Sequence, residues 1–171
     1  MKKDNLPKFA VDCMLGKLAK WLRILGFDTV YFSRIKDDDL LRIANQEGRI
    51  LLTRDNRLSL KVNPSRRLFI ESDYWPEQVK QVLTELGLKT KIAPYSRCLE
   101  CNTLLKAVSR EAVKQLVPAY VYEQGSEFSI CPQCSRIFWQ GTHFRDMDQK
   151  IISILATYKK EEETRKSGEN G

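Results

Sequence analysis

The chain has 171 residues, enough for one medium domain or a domain with a small appendage, but not for three independent cores. Its hydrophobic content of 42% excludes disorder throughout, and no apolar run approaches the roughly 20 residues of a bilayer span. The net charge of +7 favours a polyanionic partner, and an N-terminus without a long apolar stretch fits a soluble cytoplasmic protein.

Residues 8–13, KFAVDC, read as a first apolar strand ending at Asp12. In the following MLGKLAKWLRILG, the helical period puts Met14, Leu15, Leu18, Trp21, Leu22 and Leu25 on one face. Lys20 and Arg23 fall opposite, and Gly26 stands where a left-handed cap closes the helix. TVYF, residues 29–32, has the composition of a second strand. KDDDLLRIANQEG predicts a helix with an acidic first turn and Gly48 as its stop. RILLT is a third strand, Leu68–Ile70 the centre of a fourth, and WPEQVKQVLTELGL a helix with Pro76 in its first turn.

Strands alternating with helices over residues 8–88 predict βαβ units: an α/β fold with a mainly parallel sheet flanked by helices. Such sheets place ligands beyond the carboxyl ends of their strands. The periodicity lapses near KTKIAPYSR, so the first domain is expected to span 1–92 and a second 93–160. The second carries the cysteines, an AVSREAVKQLV segment that is either helical or irregular, and a closing amphipathic helix in DMDQKIISILATYKK. Residues 161–171 read as a frayed tail.

Four of the five cysteines form two CxxC pairs, Cys98 with Cys101 and Cys131 with Cys134. Each spacing lets a tight knuckle aim two thiolates at one ion, and two knuckles complete a tetrahedral site, with Zn²⁺ the expected metal. The segment between the pairs exceeds the usual spacing of about 15 to 20 residues, which predicts a small zinc ribbon with an inserted loop. A four-thiolate site has no open position, so its role would be structural, and chemistry must be sought elsewhere. Cys13 reads as a core cysteine, and the lone His143 as a packing or hydrogen-bonding residue.

Aspartates supply the alternative. Asp12 ends the first strand, Asp37, Asp38 and Asp39 open the second helix, and Asp55 ends the third strand. A parallel sheet brings strand ends and helix starts to one edge, where separated carboxylates suit Mg²⁺ or Mn²⁺. Capping explains each aspartate separately: Asp12 and Asp37 as helix caps, Asp55 as an Asx turn. Asp28, after Gly26, reads as a turn residue.

FAVDCMLGKLAKWLRILGFDTVYF, DDDLLRIANQEGRILLTRDNRL, RCLECNTLL and CPQCSRIFWQGTH together resemble the PIN-like ribonuclease domain with an appended zinc ribbon, the mut-seven C-terminal RNase family. The resemblance covers about residues 8–148 and implies a divalent ion held by acids at the sheet's carboxyl edge. Asp12 matches the first acid and Asp55 the acid after LTR. Asp37 fits the second by spacing, with Asp38 nearly as good, and Asp73 is a weak match for a fourth.

In that reading Lys17, Lys20, Arg23, Arg54 and Arg57 are expected to hold the RNA backbone. Trp139 would pack on the ribbon or stack on a base, which favours single-stranded RNA. The leading expectation is a Mg²⁺- or Mn²⁺-dependent ribonuclease. Its alternatives are a non-catalytic RNA- or ribosome-binding module and a zinc-ribbon protein-interaction adaptor. Oligomeric state is not legible.

Overall fold

A computed structural model describes residues 6–141 and 144–156. His143, the end of the expected closing helix and the tail lie outside the described residues. The chain divides into two compact units, 1–104 and 105–171. None of the described helices is long and apolar enough to cross a membrane.

The first unit is built on β1 (Phe9–Val11), β2 (Thr29–Tyr31), β3 (Ile50–Thr53) and β4 (Arg67–Phe69), all parallel in the order β2-β1-β3-β4. Its helices are α1 (Gly16–Ile24), α2 (Asp37–Gln46), α3 (Asn56–Leu60) and α4 (Trp75–Glu85). The two central strands, β1 and β3, read as near-continuous apolar runs because a parallel sheet is covered on both faces. Ala10 and Leu51 pack with Leu40 and Ala44 of α2 and Leu58 of α3. Trp21 of α1 stacks on Trp75 of α4, centroids 4.6 Å apart. Phe9, Leu18, Leu22, Val79 and Leu83 are fully buried.

Two glycines fix how the chain packs. Gly26 has φ of +93°, and a Cβ there would strike the Ala93 carbonyl. The close approach lets Ala93 and Tyr95 donate their N–H groups to the Leu25 and Ile24 carbonyls at the end of α1. At Gly16 a Cβ would lie 2.7 Å from the Tyr31 hydroxyl, which donates instead to the Cys13 carbonyl.

Two expectations are corrected around the first helix. The segment Cys13–Leu15 is a 3₁₀ turn and α1 begins only at Gly16, so Met14 is rotated off the apolar face and is 57% exposed. The same turn leaves Cys13 exposed, not in the core. Partial desolvation, then a hydrogen bond with Asp12 and the charges of Asp12 and Asp37, push its thiol pKa up.

The first unit reaches past the expected boundary at residue 92 because the segment through Asn102 is bonded to the sheet's amino edge. Arg97 donates to the Gly26 carbonyl, and Asn102 accepts from the Thr29 N–H and donates to Asp28. Arg23, whose expected place was a solvated face, is buried, and its guanidinium donates to the Thr29, Leu99 and Glu100 carbonyls.

The second unit contains a three-stranded antiparallel sheet, β5 (Lys106–Val108), β6 (Phe128–Ile130) and β7 (Ile137–Trp139). Helices α5 (Arg110–Val113) and α6 (Ala119–Gln124) fill the interval left open by the sequence, and Val113, Val121 and Phe128 form their core. A helix over 144–156 follows, with Ile151 and Ile154 buried.

Burial alone would raise the Asp28 carboxyl, but hydrogen bonds from Arg49 and Asn102 and the charges of Arg49 and Arg97 hold it below the ordinary carboxylate value. A depressed folded-state pKa contributes stability that is present above the unfolded value, about 4, and lost as pH falls through the folded value. Asp28→Asn is therefore expected to destabilise the first unit by about 1 to 3 kcal/mol at pH 7, because it removes one of the two carboxylates that pair with the buried Arg49. Denaturant unfolding should show the gap between wild type and variant closing below about pH 4.

Candidate functional site

The sheet has a switch point between β1 and β3. These strands are neighbours, yet α1 carries the chain from β1 to β2 on one side, while α3 carries it from β3 to β4 on the other. The crevice at the carboxyl ends of two such strands is where open parallel sheets bind ligands. Asp12 immediately follows β1 and Asp55 follows β3, while Asp37 opens α2 after β2. All three positions lie at that edge.

Thr53, the last residue of β3, joins the two strand ends. Its hydroxyl donates to Asp12 Oδ2 at 2.6 Å and accepts from the Asp55 N–H at 2.9 Å. Thr53 is fully buried and Asp12 is 5% exposed. Although Asp12 precedes the 3₁₀ turn, its side chain makes no capping bond, so capping does not account for this carboxylate. Among the described residues Asp12 has no cation partner. A buried acid served only by hydroxyl and thiol donors is a place where a cation would be strongly favoured.

Asp55 follows the other reading as well. Its Oδ1 accepts from the N–H groups of Arg57 and Leu58 at 2.7 and 3.1 Å, capping α3. Capping and ligation are compatible here, because a carboxylate has two oxygens and about four acceptor sites. Asp37 is not a cap, since Lys36 precedes the helix in that position; it is exposed, and its charge reaches the Cys13 thiol beside Asp12. Asp38 faces solvent 3.7 Å from Lys61, and Asp39 pairs with Arg42. Asp73 is exposed in the segment after β4.

The acids share an edge without forming a tight coordination set. Among the described residues, the four CxxC cysteines are the one group of three or more His, Cys, Asp or Glu side chains whose ligand atoms all lie within 4.8 Å of one another. Around the edge, Lys17 is exposed in the first turn of α1, Arg57 is exposed, and Arg54 is half-buried. Lys20 is exposed one turn farther along α1, and Trp139 is 40% exposed. Two contributors escaped the sequence reading. Thr53 stood inside a strand as an ordinary β-former, and the role of Tyr31 in holding the Cys13 carbonyl needed three dimensions.

The cysteine group is built from two knuckles of matching form. Cys98 N–H donates to the Thr103 carbonyl and Asn102 N–H to the Cys98 carbonyl; Cys131 and Ser135 repeat this with Arg136. Asn102 and Ser135 both take positive φ, at 65° and 59°, closing each knuckle so that its thiols point the same way. Cys98 and Cys131 are fully buried. Four gathered thiolates are a fitting donor set for Zn²⁺. Reduced protein is expected to carry zinc stoichiometrically by metal analysis, and Cys131→Ser to lose most of it along with several kcal/mol of stability. Zinc-free reduced protein with an unchanged melting temperature would count against the assignment.

The comparisons with known proteins agree with this architecture. The profile of the Mut7-C RNAse domain matches residues 7–151. A human protein, "Exonuclease mut-7 homolog", is 34% identical over 126 residues, which cover 69% of this chain and 14% of that protein. The chain thus spans a small part of its relative's length. No solved structure matches. With the family profile covering most of the chain, and with its parallel sheet and paired knuckles in place, the chain belongs to the Mut7-C RNase domain family.

Proposed function

We propose that the chain is a metal-dependent ribonuclease acting on single-stranded RNA at the carboxyl edge of its sheet. The observation that carries this reading is Asp12: a buried carboxylate without a cation partner among the described residues, at the switch point of a parallel sheet, in an RNase-domain family. Asp12, the second oxygen of Asp55, and Asp37 or Asp38 would hold Mg²⁺ or Mn²⁺. These ions use few carboxylates and keep several waters, which suits acids that share an edge but do not touch. When bound, the ion lowers the pKa of a coordinated water and offsets charge on the phosphate.

The protein's own side chains supply the remainder. Asp12 and Asp55 orient the attacking water, and an acceptor site on one of them takes its proton as the oxygen–phosphorus bond forms. The phosphorus–oxygen bond to the leaving ribose breaks in the same displacement, and the departing oxygen takes a proton from solvent water. Lys17, Arg54 and Arg57 neutralise the nonbridging oxygens and fix the backbone. Thr53 is a positioning residue: it orders Asp12 against Asp55 and touches no substrate.

A second reading, an RNA-binding module without cleavage, is favoured by one feature. Asp55 Oδ1 is already satisfied as a cap, and the carboxylates are not gathered into a ready ion cage.

Labelled single-stranded RNA incubated with Mn²⁺ separates the two. Asp12→Asn and Asp55→Asn should each lower cleavage at least about 100-fold, since both would hold the ion. Equal cleavage by all three proteins sinks the assignment, and retained binding with no cleavage under any divalent ion establishes the module. Thr53→Val should cost about 1 to 2 kcal/mol of stability, and raise the Mn²⁺ concentration for half-maximal cleavage about 10- to 100-fold. Thr53→Ser should restore the metal dependence.

A further inference from the structure

A cleft of about 400 Å³ lies along α2, on the face of the sheet that α2 and α3 cover. It includes Asp38, in the first turn of α2 at the acidic edge, and reaches Arg49, just before β3 at the opposite edge. The cleft therefore follows the ten residues of α2, about 15 Å at 1.5 Å per residue. Its walls carry Arg42, Lys61 and Arg66, and Leu41 and Val62 give it an apolar floor.

The cations differ in how far they are already engaged. Arg49 is 6% exposed and held by Asp28 and Glu47 at 2.6 Å each, so it is structural. The side chains of Arg42 and Lys61 are 60% and 51% exposed, in surface pairs that solvent weakens. Arg66 is exposed, makes no ion pair among the described residues, and has a guanidinium nitrogen 3.3 Å from the position a Cβ would take on Gly48. The available cations are thus strung along the cleft over an apolar floor. An extended polyanion matches that pattern, whereas a compact anion would use one end of it.

We infer that the α2 cleft is a track for the phosphodiester backbone of single-stranded RNA, guiding the strand between the acidic edge and the amino edge of the sheet. The inference rests on the ribonuclease reading for its ligand and extends that site beyond the reacting phosphate.

The test measures binding of a labelled single-stranded RNA by the full chain as a function of KCl, with no added Mg²⁺ or Mn²⁺, alongside cleavage by wild type in Mn²⁺. On a single strand, each phosphate that the protein ceases to neutralise lowers the salt slope by about 0.7. Arg42→Ala with Arg66→Ala should therefore lower it by about 1.4 and weaken binding at least about 10-fold. Arg42→Lys with Arg66→Lys keeps both charges and should keep the slope. Both positions are exposed, and unchanged melting curves verify the fold. A slope unchanged in the alanine variant overturns the track, while wild-type cleavage in the same experiment leaves the catalytic edge standing. A reduced slope without cleavage supports the track and removes the catalytic reading. No salt-sensitive binding by wild type overturns the track, and no cleavage in Mn²⁺ beside it overturns the ribonuclease reading as well.

Discussion

The carboxylate of Asp28 organises the amino edge of the first unit, and the arrangement of everything at the other edge depends on it. Its Oδ1 accepts from Arg49 at 2.6 Å and from Asn102 at 2.8 Å, and its backbone carbonyl accepts from the Phe9 N–H. Arg49 also donates to the Phe9 carbonyl. One acid thereby relates the starts of β1, β2 and β3 and the first cysteine knuckle. Strands of three or four residues have few ladder bonds to fix their register, so a charged clamp at one end sets where their other ends stop. Asp12, Thr53 and Asp55 meet because β1 and β3 begin together.

The two edges have different chemistry. The carboxyl edge has a buried acid, a bridging hydroxyl and exposed cations. The first cysteine knuckle is bonded to the amino edge, through Arg23 to Leu99 and Glu100 and through Asn102 to Thr29. Strands this short separate the edges by about 10 Å, at 3.3 Å per residue. That distance keeps the soft thiolates of the first knuckle apart from the oxygen donors of the carboxyl edge.

Much of this was legible in the sequence, because its signals are local. Apolar runs and helical periods gave the alternation of β1 to α4, and CxxC spacing gave the metal knuckles. The parallel register then brought Asp12 and Asp55 to one edge with no further assumption. What stayed hidden was tertiary. The 3₁₀ turn that frees Met14 and Cys13 displaces the helix start by only two residues, from Met14 to Gly16, beyond the reach of periodicity. Arg23 sits on a helical face that looks solvated until the segment after Ala93 folds across it. Asp55 was posed as either a cap or a ligand, but a carboxylate has oxygens enough for both.

Arg23 has a further consequence for the charge carried by the first knuckle. A dication surrounded by four thiolates remains net negative, and a surface offered to a polyanion would be weakened by such a charge. Burial lowers the Arg23 pKa, while the neighbouring Cys98, Glu100 and Cys101 act to raise it, so the cation is held where those negative groups need it. An arginine that looked like a partner for the ligand's charge instead cancels the protein's own. Removing it would leave the negative charge of the knuckle uncompensated at the buried face of the segment that carries it.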